Sequence, residues 1–536
     1  MRKPYGILWI LVLLFAVLMS LPWLVPHLGF LSLFGFVPLL CADRVADQNG
    51  VRRFWIWHYS AFVLWNAATT FWVCNATVGG GIFAVLANAL QMSLIFGLFR
   101  FSKKRFGGIL PYLFLMFFWL AWERWYLVQA QISWPWLVLG NAFARSIGSV
   151  QWYEYTGTLG GSLWIWLSNL GIFALMVSVL EGTFFRWRRF TRWCSVLGVA
   201  LVLALPFAAS AHIWHHFTED SEGTVDVVIA QPDFDPYQKF KSMTQEQQNE
   251  VLLTQFSEAS DPSFEGLLIA PETFTGDIFL NDVQDSKTWA AFSRFLQGRP
   301  GANLLFGAST YEYFQQASAP SILARKYGNG WLENRNSAFC TDASGRYDVF
   351  HKSKLVVGVE MTPYPKFFVP IDDKLGGLMG RCIGQPEVTA LNYTAPDSTA
   401  VPFGCAICYE SVYPEYCIGY VNAGAKFMTI ITNDAWWGDT PGYRQHASFA
   451  SLRAIELRRD IARCGNTGIS GFINQRGEYV SSTPWWEQTT LSGKVNFSGR
   501  RTFFVEHGDI VGRVSTLAFL LLLAWLFVSL FIRRRP

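Results

Sequence analysis

Residues 402–411, PFGCAICYES, place two thiols three residues apart and follow the second with a tyrosine and an acid. Cys405 and Cys408 thus form a C-x-x-C pair. Such a pair can be a redox motif or half of a zinc site. Because an apolar run precedes it, a third interpretation is a nucleophilic thiol at the end of a buried strand. The choice depends on which other reactive groups the chain brings to this place.

Two further reactive side chains follow apolar runs in the same way. Glu272 follows LLIAP, and Lys352 lies in YDVFHKSKL. Near neutral pH only a few per cent of an ordinary thiol is the nucleophilic thiolate. A carboxylate can take the thiol proton, and an ammonium group can stabilise a thiolate and an oxyanion. Together the three groups would form an acyl-transfer site, although each alone also fits an ordinary structural role.

The elements that would position these groups are short buried strands. Residues 224–500 contain apolar runs that end in a polar residue: VDVVIAQPD, GLLIAPETF, NLLFGAST, VPFGCAICYE and KFMTIITND. Runs of this length, rich in Val and Ile, indicate buried strands. Helix-like stretches such as TQEQQNEVLLTQFSEA lie between some of them. The pattern predicts a layered α/β or α+β domain with reactive groups at strand ends.

The rest of the chain is far more apolar than a soluble protein. Charged residues make up 15% of the sequence and hydrophobic residues 51%. About 20 apolar residues span a bilayer. We therefore predict about seven membrane helices within residues 1–213, a periplasmic domain at 220–510 and a last membrane helix at 514–532. The predicted spans are 5–26, 29–42, 55–74, 82–99, 108–128, 158–182, 193–212 and 514–532, of which 29–42 is short and contains Pro38.

The basic residues predict the orientation of these spans. They cluster before the first span, on alternate connections and after the last span, whereas Arg145 is the one basic residue on the other connections between the first seven spans. Basic clusters mark the cytoplasmic side. This arrangement puts both termini in the cytoplasm and residues 213–513 outside it. The net charge of +4 is therefore no sign of nucleic-acid binding.

One outer connection, residues 129–157, is rich in tryptophan and tyrosine. Aromatic residues favour the membrane interface, so it is either an interfacial belt or a platform that docks the outer domain and receives lipid. Glu123 lies near the end of the preceding span. A buried acid there is either functional or structural.

Four motifs together resemble a known superfamily. The segments APE, HKSKLVVGVE, CYE and TNDAWWG, in this order, resemble the nitrilase superfamily, whose catalytic set is Glu, Lys and Cys. With seven predicted spans before and one after, the chain resembles its membrane branch, the apolipoprotein N-acyltransferases. The segments WLAWE, with Trp119 and Glu123 in a WxxxE pattern, and WPWLVLG, from Trp134 to Gly140, fit the same branch. The resemblance implies a multi-pass α-helical membrane domain plus a nitrilase-like α/β sandwich with α-β-β-α layers.

The resemblance also implies residue roles. Glu272 is the expected general base, Lys352 the oxyanion-stabilising cation and Cys408 the nucleophile. Supporting or substrate-binding roles are expected for five further residues: Glu360, Tyr409, Glu410, Trp436 and Trp437. Glu360 and Glu410 would be supporting acids, the backbone N–H of Tyr409 a second oxyanion donor, and the two tryptophans the mouth of the site.

The chain departs from the superfamily pattern in two places. After the catalytic lysine the usual Leu-Val-Pro-Phe-Gly-Glu is replaced by LVVGVE, which ends at Glu360. In the first loop of the domain, Lys239 is followed by Phe240, where many members have tryptophan. An aromatic ring remains there, but the indole N–H is lost.

The C-x-x-C question can now be answered. Redox pairs normally open a helix, whereas this one ends a strand, and the remaining Cys and His residues do not supply a second zinc pair. Cys405 is therefore expected to be a buried neighbour of Cys408, with no metal at the site. A disulfide among Cys340, Cys382, Cys417 and Cys464 stays open.

These features predict an enzyme of the bacterial inner membrane with its catalytic domain in the periplasm. The resemblance implies transfer of an acyl chain from a glycerophospholipid to the α-amino group of the S-diacylglyceryl cysteine of an apolipoprotein. No cofactor is expected, because a thioester keeps the acyl group between the two half-reactions. The alternative is a membrane-tethered amidase that gives the acyl group to water.

Overall fold

The computed structural model describes residues 4–237 and 239–531, and of Phe240 only the backbone. The basic residues at 2, 3 and 533–535, for which the sequence predicts a cytoplasmic location, lie outside the described residues, as does the side chain of Phe240. The described residues form two compact units. One comprises residues of 1–129, 134–217 and 506–536, and the other comprises 130–133 and 218–505.

The first unit is helical. Its α-helices are Tyr5–Leu24, Ser32–Gly35, Val37–Gln48, Trp55–Thr70, Val73–Ala76, Val78–Ser102, Leu110–Val128, Tyr153–Thr156, Thr158–Leu180, Thr183–Arg186, Arg189–His216 and Ile510–Phe531. Six described segments are long and apolar enough to cross a membrane: Tyr5–Leu24, Gly29–Gln48, Val78–Ser102, Thr158–Leu180, Arg189–His216 and Ile510–Phe531. They indicate a multi-pass membrane protein.

The helices at the other two predicted spans do not belong to these six. Trp55–Thr70 has only 16 residues, and Leu110–Val128 contains Glu123 and Arg124. The number of crossings thus stays a prediction. The apolar helical segment that contains the predicted span 29–42 covers 20 residues, Gly29–Gln48. Pro38 does not shorten it, because it lies in the first turn of the helix Val37–Gln48, where the missing N–H would have no helical acceptor.

Within this unit, Glu123 forms a hydrogen bond to the connection 129–157, which is rich in tryptophan and tyrosine. The side chain is fully buried. Its Oε1 accepts hydrogen bonds from Trp119 Nε1 at 3.0 Å and from the backbone N–H of Leu139 at 2.8 Å. Leu139 begins the 3₁₀ helix Leu139–Phe143. These contacts favour the structural interpretation of Glu123.

The second unit contains two sheets built from fourteen strands in the described residues. In chain order the strands are β1 Thr224–Gln231, β2 Gly266–Ile269, β3 Thr275–Phe279, β4 Ala302–Phe314, β5 Arg325–Tyr327, β6 Gly330–Asp342, β7 Tyr347–His351, β8 Leu391–Thr394, β9 Ala400–Ile407, β10 Met428–Thr432, β11 Ile461–Gly465, β12 Gly471–Ile473, β13 Tyr479–Ser482 and β14 Thr489–Asn496. The first sheet has the order β14-β1-β2-β4-β6-β5, with β3 on β4 and β7 on β6. The second has the order β13-β12-β11-β10-β9-β8.

Alternation along the strands builds the layers. In β1, Val225, Val227 and Ile229 belong to a core that also contains residues of β9, β10 and β11, whereas Val228 and Ala230 pack in a separate cluster with helical residues. Since successive side chains of a strand point to opposite faces, the first core lies between the two sheets and the second outside the first sheet.

Helices cover both sheets. Those of the described second unit are Lys239–Ser242, Gln245–Ala259, Lys287–Gln297, Pro365–Lys374, Pro414–Asn422, Pro441–Leu457 and Phe503–His507, the last of which continues into the first unit. The cluster outside the first sheet includes residues of the helices Gln245–Ala259 and Lys287–Gln297. The core that contains the residues of β9, β10 and β11 also includes residues of the helices Pro414–Asn422 and Pro441–Leu457. The result is the expected α-β-β-α sandwich.

Candidate active site

Strand ends position all three predicted catalytic residues. Glu272 lies three residues beyond the end of β2, Lys352 directly follows β7, and Cys408 directly follows β9. Strands β1, β2 and β4 are parallel in one sheet, and β9, β10 and β11 are parallel in the other. Their carboxyl ends present polar side chains from a rigid core.

Cys408 sits on a sharp turn between β9 and the 3₁₀ helix Cys408–Val412. Its φ of 52° lies in the left-handed region, which costs energy for a residue with a side chain. As a whole residue Cys408 is half-buried. Burial and the carboxylate of Glu272 raise its pKa well above the ordinary value, although the ammonium of Lys352 opposes them. The resting thiol is therefore protonated and needs a base to become a nucleophile.

Lys352 joins two carboxylates below the turn. Its Nζ donates to Glu272 Oε1 at 3.0 Å and to Glu360 Oε1 at 2.9 Å. The lysine side chain is only 1% exposed. Burial alone would lower the pKa of Lys352, but the charges of Glu272 and Glu360 outweigh it and raise the pKa well above the ordinary value. The ammonium group therefore stays charged.

Asn336 completes this cluster and was not singled out from the sequence. Its Nδ2 donates to Glu272 Oε1 and Glu360 Oε1, both at 2.8 Å. Its backbone O accepts from the N–H of Lys352 at 2.8 Å. The strand segment ENRNSAFC contains two asparagines, and nothing in the sequence distinguishes Asn336 from Asn334.

Glu410 links the turn at Cys408 to the segment that follows Lys352. Burial raises the pKa of this carboxyl despite the donors around it. Its five donors are Ser353 N at 2.7 Å, Lys354 N at 3.2 Å and Tyr416 OH at 2.7 Å on Oε1, and Ile407 N at 2.9 Å and Tyr420 OH at 3.1 Å on Oε2. The backbone on both sides of the site is thereby fixed.

The predicted aromatic residues lie in different environments. Tyr409 is buried, and its OH donates to Ser133 O at 3.2 Å, within the same compact unit. Trp436 is 41% exposed and packs edge-on against Tyr237. Trp437 is half-buried, with its ring edge-on to His446 at a centroid distance of 5.5 Å. Trp436 is thus more exposed than Trp437.

A second polar chain near Cys408 was missed by the sequence analysis. A ring nitrogen of His446, a carboxylate oxygen of Asp434 and Cys408 Sγ all lie within 4.8 Å of one another. Such atoms could in principle hold a metal ion. However, His446 Nδ1 and Asp434 Oδ1 are already 2.9 Å apart, and Arg463 donates to Asp434 Oδ2 at 2.6 Å. An entering cation would meet this guanidinium, so we interpret the group as a hydrogen-bond chain.

The remaining cysteines have structural surroundings. Cys405 is fully buried on β9, and burial raises its pKa to about 12. All nine cysteines lie in the described part of the chain, and each has a free thiol there, including the four considered for a disulfide. In the first loop, Lys239 Nζ donates to Thr273 O at 2.7 Å, next to Glu272.

Two known protein families match this chain, one in each of its two units. The family described as carbon-nitrogen hydrolase matches residues 235–503, and the family described as apolipoprotein N-acyltransferase N-terminal domain matches residues 15–171. A nitrilase-superfamily protein of Saccharomyces cerevisiae is similar with a TM-score of 0.37 and 13% identity, covering 55% of this chain and 96% of that one. Because the carbon-nitrogen hydrolase family model matches residues 235–503, the second unit is a carbon-nitrogen hydrolase domain.

Two relatives extend over nearly the whole chain. The apolipoprotein N-acyltransferase of Chlorobaculum tepidum is 30% identical over 92% of this chain and 91% of its own. That of Geobacter metallireducens is 27% identical over 94% and 92%. The chain belongs to the apolipoprotein N-acyltransferase family.

Proposed function

We propose that this protein transfers an acyl chain from a membrane glycerophospholipid to the α-amino group of the S-diacylglyceryl cysteine at the N-terminus of apolipoproteins. The observation that carries the proposal is the buried bridge from Lys352 to Glu272, placed beside a nucleophile turn at Cys408. This arrangement suits a protonated thiol that is activated only during reaction.

In the first half-reaction Glu272 takes the proton from Cys408. The sulfur attacks the ester carbonyl of the phospholipid, so that a C–S bond forms and the ester C–O bond breaks. Glu272 returns the proton to the leaving alkoxide, which departs as lysophospholipid. The acyl group remains as a thioester on Cys408.

In the second half-reaction the neutral α-amine of the diacylated apolipoprotein attacks the thioester. A C–N bond forms, the C–S bond breaks, and the proton lost by the amine passes through Glu272 to the sulfur. The products are an amide and the original thiol. This cycle needs no metal and no soluble cofactor.

Both tetrahedral intermediates carry an oxyanion that must be stabilised. The ammonium of Lys352 and the backbone N–H of Tyr409 are the proposed donors. Glu360 keeps Lys352 charged and oriented, because it accepts from Nζ at 2.9 Å and from Val356 N at 2.8 Å. Trp436 and Trp437 would line the mouth through which the acyl chains enter.

We further propose where the protein lies in the cell and which role each part of the chain has. Residues 1–213 and 514–532 would hold the enzyme in the bacterial inner membrane, and residues 220–510 would form the periplasmic catalytic domain. Both substrates are anchored in the membrane, so a site held near its surface can reach them. Reporters inserted near residues 103 and 188 should indicate cytoplasm, and one near residue 318 should indicate periplasm.

The decisive experiment is to trap the acyl-enzyme. Purified protein mixed with phospholipid, without acceptor, should gain the mass of one acyl chain on the peptide that contains Cys408. Neutral hydroxylamine should remove it, and a diacylated lipopeptide should discharge it as triacylated product. Cys408→Ala should form no adduct. Formation of product without any adduct would contradict the covalent mechanism.

The same experiment tests the amidase alternative. The family membership does not favour it, but the same three catalytic residues would serve hydrolysis. If water discharges the loaded enzyme as fast as the lipopeptide does, the protein is an amidase.

A further inference from the structure

The backbone carbonyl of Cys408 is held by two side chains. Ser411 Oγ donates to it at 2.7 Å, and His446 Nε2 lies 3.1 Å from it. Ser411 and His446 are both buried. His446 Nε2 also lies 3.1 Å from Ser411 Oγ. A carbonyl oxygen only accepts hydrogen bonds, so we assign the hydrogen on Nε2 to the contact with Cys408 O. In this arrangement two buried donors share one carbonyl and fix the orientation of its peptide group.

This peptide group also contains the proposed oxyanion donor. The carbonyl of Cys408 and the N–H of Tyr409 belong to one planar trans peptide, so they point in opposite directions. Rotating the carbonyl would swing the N–H by the same angle. Any group that holds the carbonyl therefore also aims the N–H of Tyr409.

Buried groups on the Nδ1 side of the ring hold His446 in place. Its Nδ1 lies 2.9 Å from Asp434 Oδ1, which also accepts from Thr432 Oγ1 at 2.8 Å. Arg463 donates to Asp434 Oδ2 at 2.6 Å and also lies 3.3 Å from His446 Nδ1. The side chains of His446, Asp434 and Arg463 are at most 1% exposed. Thr432 and Arg463 belong to the adjacent strands β10 and β11, so the chain has a rigid base.

We propose that His446 is a positioning residue, which aims the N–H of Tyr409 at the oxyanion by holding the carbonyl of Cys408. This inference rests on the proposed function, in which Cys408 forms the acyl-enzyme. A direct role as base for the thiol fits less well, although a ring nitrogen lies within 4.8 Å of Sγ. Both ring nitrogens already face other partners, Cys408 O and Asp434.

Two reactions of the same thiol separate these roles. Acylation by phospholipid develops an oxyanion, whereas alkylation by iodoacetamide displaces iodide from carbon and develops none. A residue that acts on the oxyanion donor should slow only acylation. A residue that activates the thiol, or a general loss of structure at the turn, should slow both.

The experiment uses the full-length protein in detergent micelles. We would measure the rate of acyl loading from phospholipid, its dependence on phospholipid concentration, and the rate of Cys408 alkylation for His446→Leu and His446→Gln. Phe449→Leu is the matched control, because Phe449 is buried on the same helix three residues along the chain. Thermal unfolding is recorded for every variant.

We expect His446→Leu to slow maximal acyl loading by about 100-fold, the lower range for losing one oxyanion donor. The half-saturating phospholipid concentration and the alkylation rate should stay near those of the wild type. His446→Gln should recover part of the loss, because its amide can still donate to the carbonyl. Phe449→Leu should lower thermal stability while keeping acyl loading close to normal.

Ser411→Ala adds an independent test. Ser411 and His446 hold the same oxygen, so the losses in acyl loading caused by Ser411→Ala and His446→Leu should not be additive. The inference is overturned if acylation and alkylation fall together, if His446→Leu loads at the normal rate, or if the two losses are additive. Failure of the proposed function would look different, since Cys408→Ala would then still form product.

Discussion

Two buried carboxylates, Glu272 and Glu410, lie near the proposed nucleophile Cys408, and their hydrogen bonds differ. Glu410 receives five hydrogen bonds, three on one oxygen and two on the other. Glu272 receives two bonds on Oε1, from Lys352 and Asn336, and among the described residues Oε2 receives one, from Asn433 N at 3.2 Å. Both oxygens of Glu410 are occupied by at least two donors each, whereas Oε2 of Glu272 is lightly bonded and can accept a proton.

The donors also differ in kind. Backbone N–H groups supply three of the five bonds to Glu410, from Ile407, Ser353 and Lys354. Side chains supply both bonds to Glu272 Oε1. Substitution of a neighbour should therefore disturb the Glu272 cluster more than the Glu410 cluster. The comparison predicts that Glu272 is the carboxylate that reacts and that Glu410 holds the backbone.

The largest expected effect follows from removing the base. General-base catalysis contributes roughly 100- to 10,000-fold, so Glu272→Gln should slow acyl loading by about 1000-fold. Because the pKa of Cys408 is raised well above its ordinary value, the residual rate should come from the small thiolate fraction. It should therefore rise about tenfold per pH unit in the neutral range. Loading followed by mass spectrometry against pH tests this, and a pH-independent residual rate would remove Glu272 from the role of base.

The next effect concerns the two lysines. Lys352→Met removes an oxyanion-stabilising cation and should cost about 100- to 1000-fold in acyl loading. It also leaves the buried Glu272 and the half-buried Glu360 without their counter-charge. Leaving a buried charge unpaired typically destabilises a protein by about 3–5 kcal/mol. Loading rates and thermal unfolding would be measured together.

Lys354→Ala is the matched control for this change. Lys354 serves Glu410 through its backbone N–H, which the substitution keeps, and its ammonium lies over the rings of Tyr413 and Tyr416. We expect only a small loss of activity. Equal losses for the two lysines would contradict the distinction between side-chain and backbone donors.

Glu410→Gln should act on stability more than on chemistry. One oxygen would become an amide NH₂ that faces N–H or O–H donors. Leaving buried donors unsatisfied costs about 1–3 kcal/mol, so we expect a lower thermal midpoint and a moderate loss of acyl loading, smaller than that of Glu272→Gln. If Glu410→Gln unfolds like the wild type but loads as slowly as Glu272→Gln, Glu410 takes part in the chemistry.

Much of this architecture could be predicted from the sequence. The five apolar runs correspond to β1, β2, β4, β9 and β10 because a strand buried on both faces needs an uninterrupted apolar segment. The family resemblance of the quoted motifs then supplied Glu272, Lys352 and Cys408. Local pattern alone left these three residues with ordinary structural readings, since it does not show which strand ends meet in space.

The residues that were missed depend on such long-range contacts. Asn336 comes from β6 and bridges carboxylates 64 and 24 residues away along the chain. His446 lies on a helix 38 residues beyond Cys408 and reaches its carbonyl only through the fold. A polar residue within a strand or helix carries no local signal for these partners.

The smallest expected effect is that of Cys405→Ala, three residues before the nucleophile. Its backbone carbonyl accepts from Tyr420 OH at 3.0 Å, and this tyrosine also holds Glu410. Alanine keeps that carbonyl and removes only a buried sulfur, so the hydrogen bonds of Tyr420 that hold the turn should persist. We expect near-normal acyl loading and a loss of about 1–2 kcal/mol in stability from the small cavity, measured by mass spectrometry and denaturant unfolding. Abolished loading in Cys405→Ala, with full loading in Cys408→Ala, would show that the nucleophile had been assigned to the wrong cysteine.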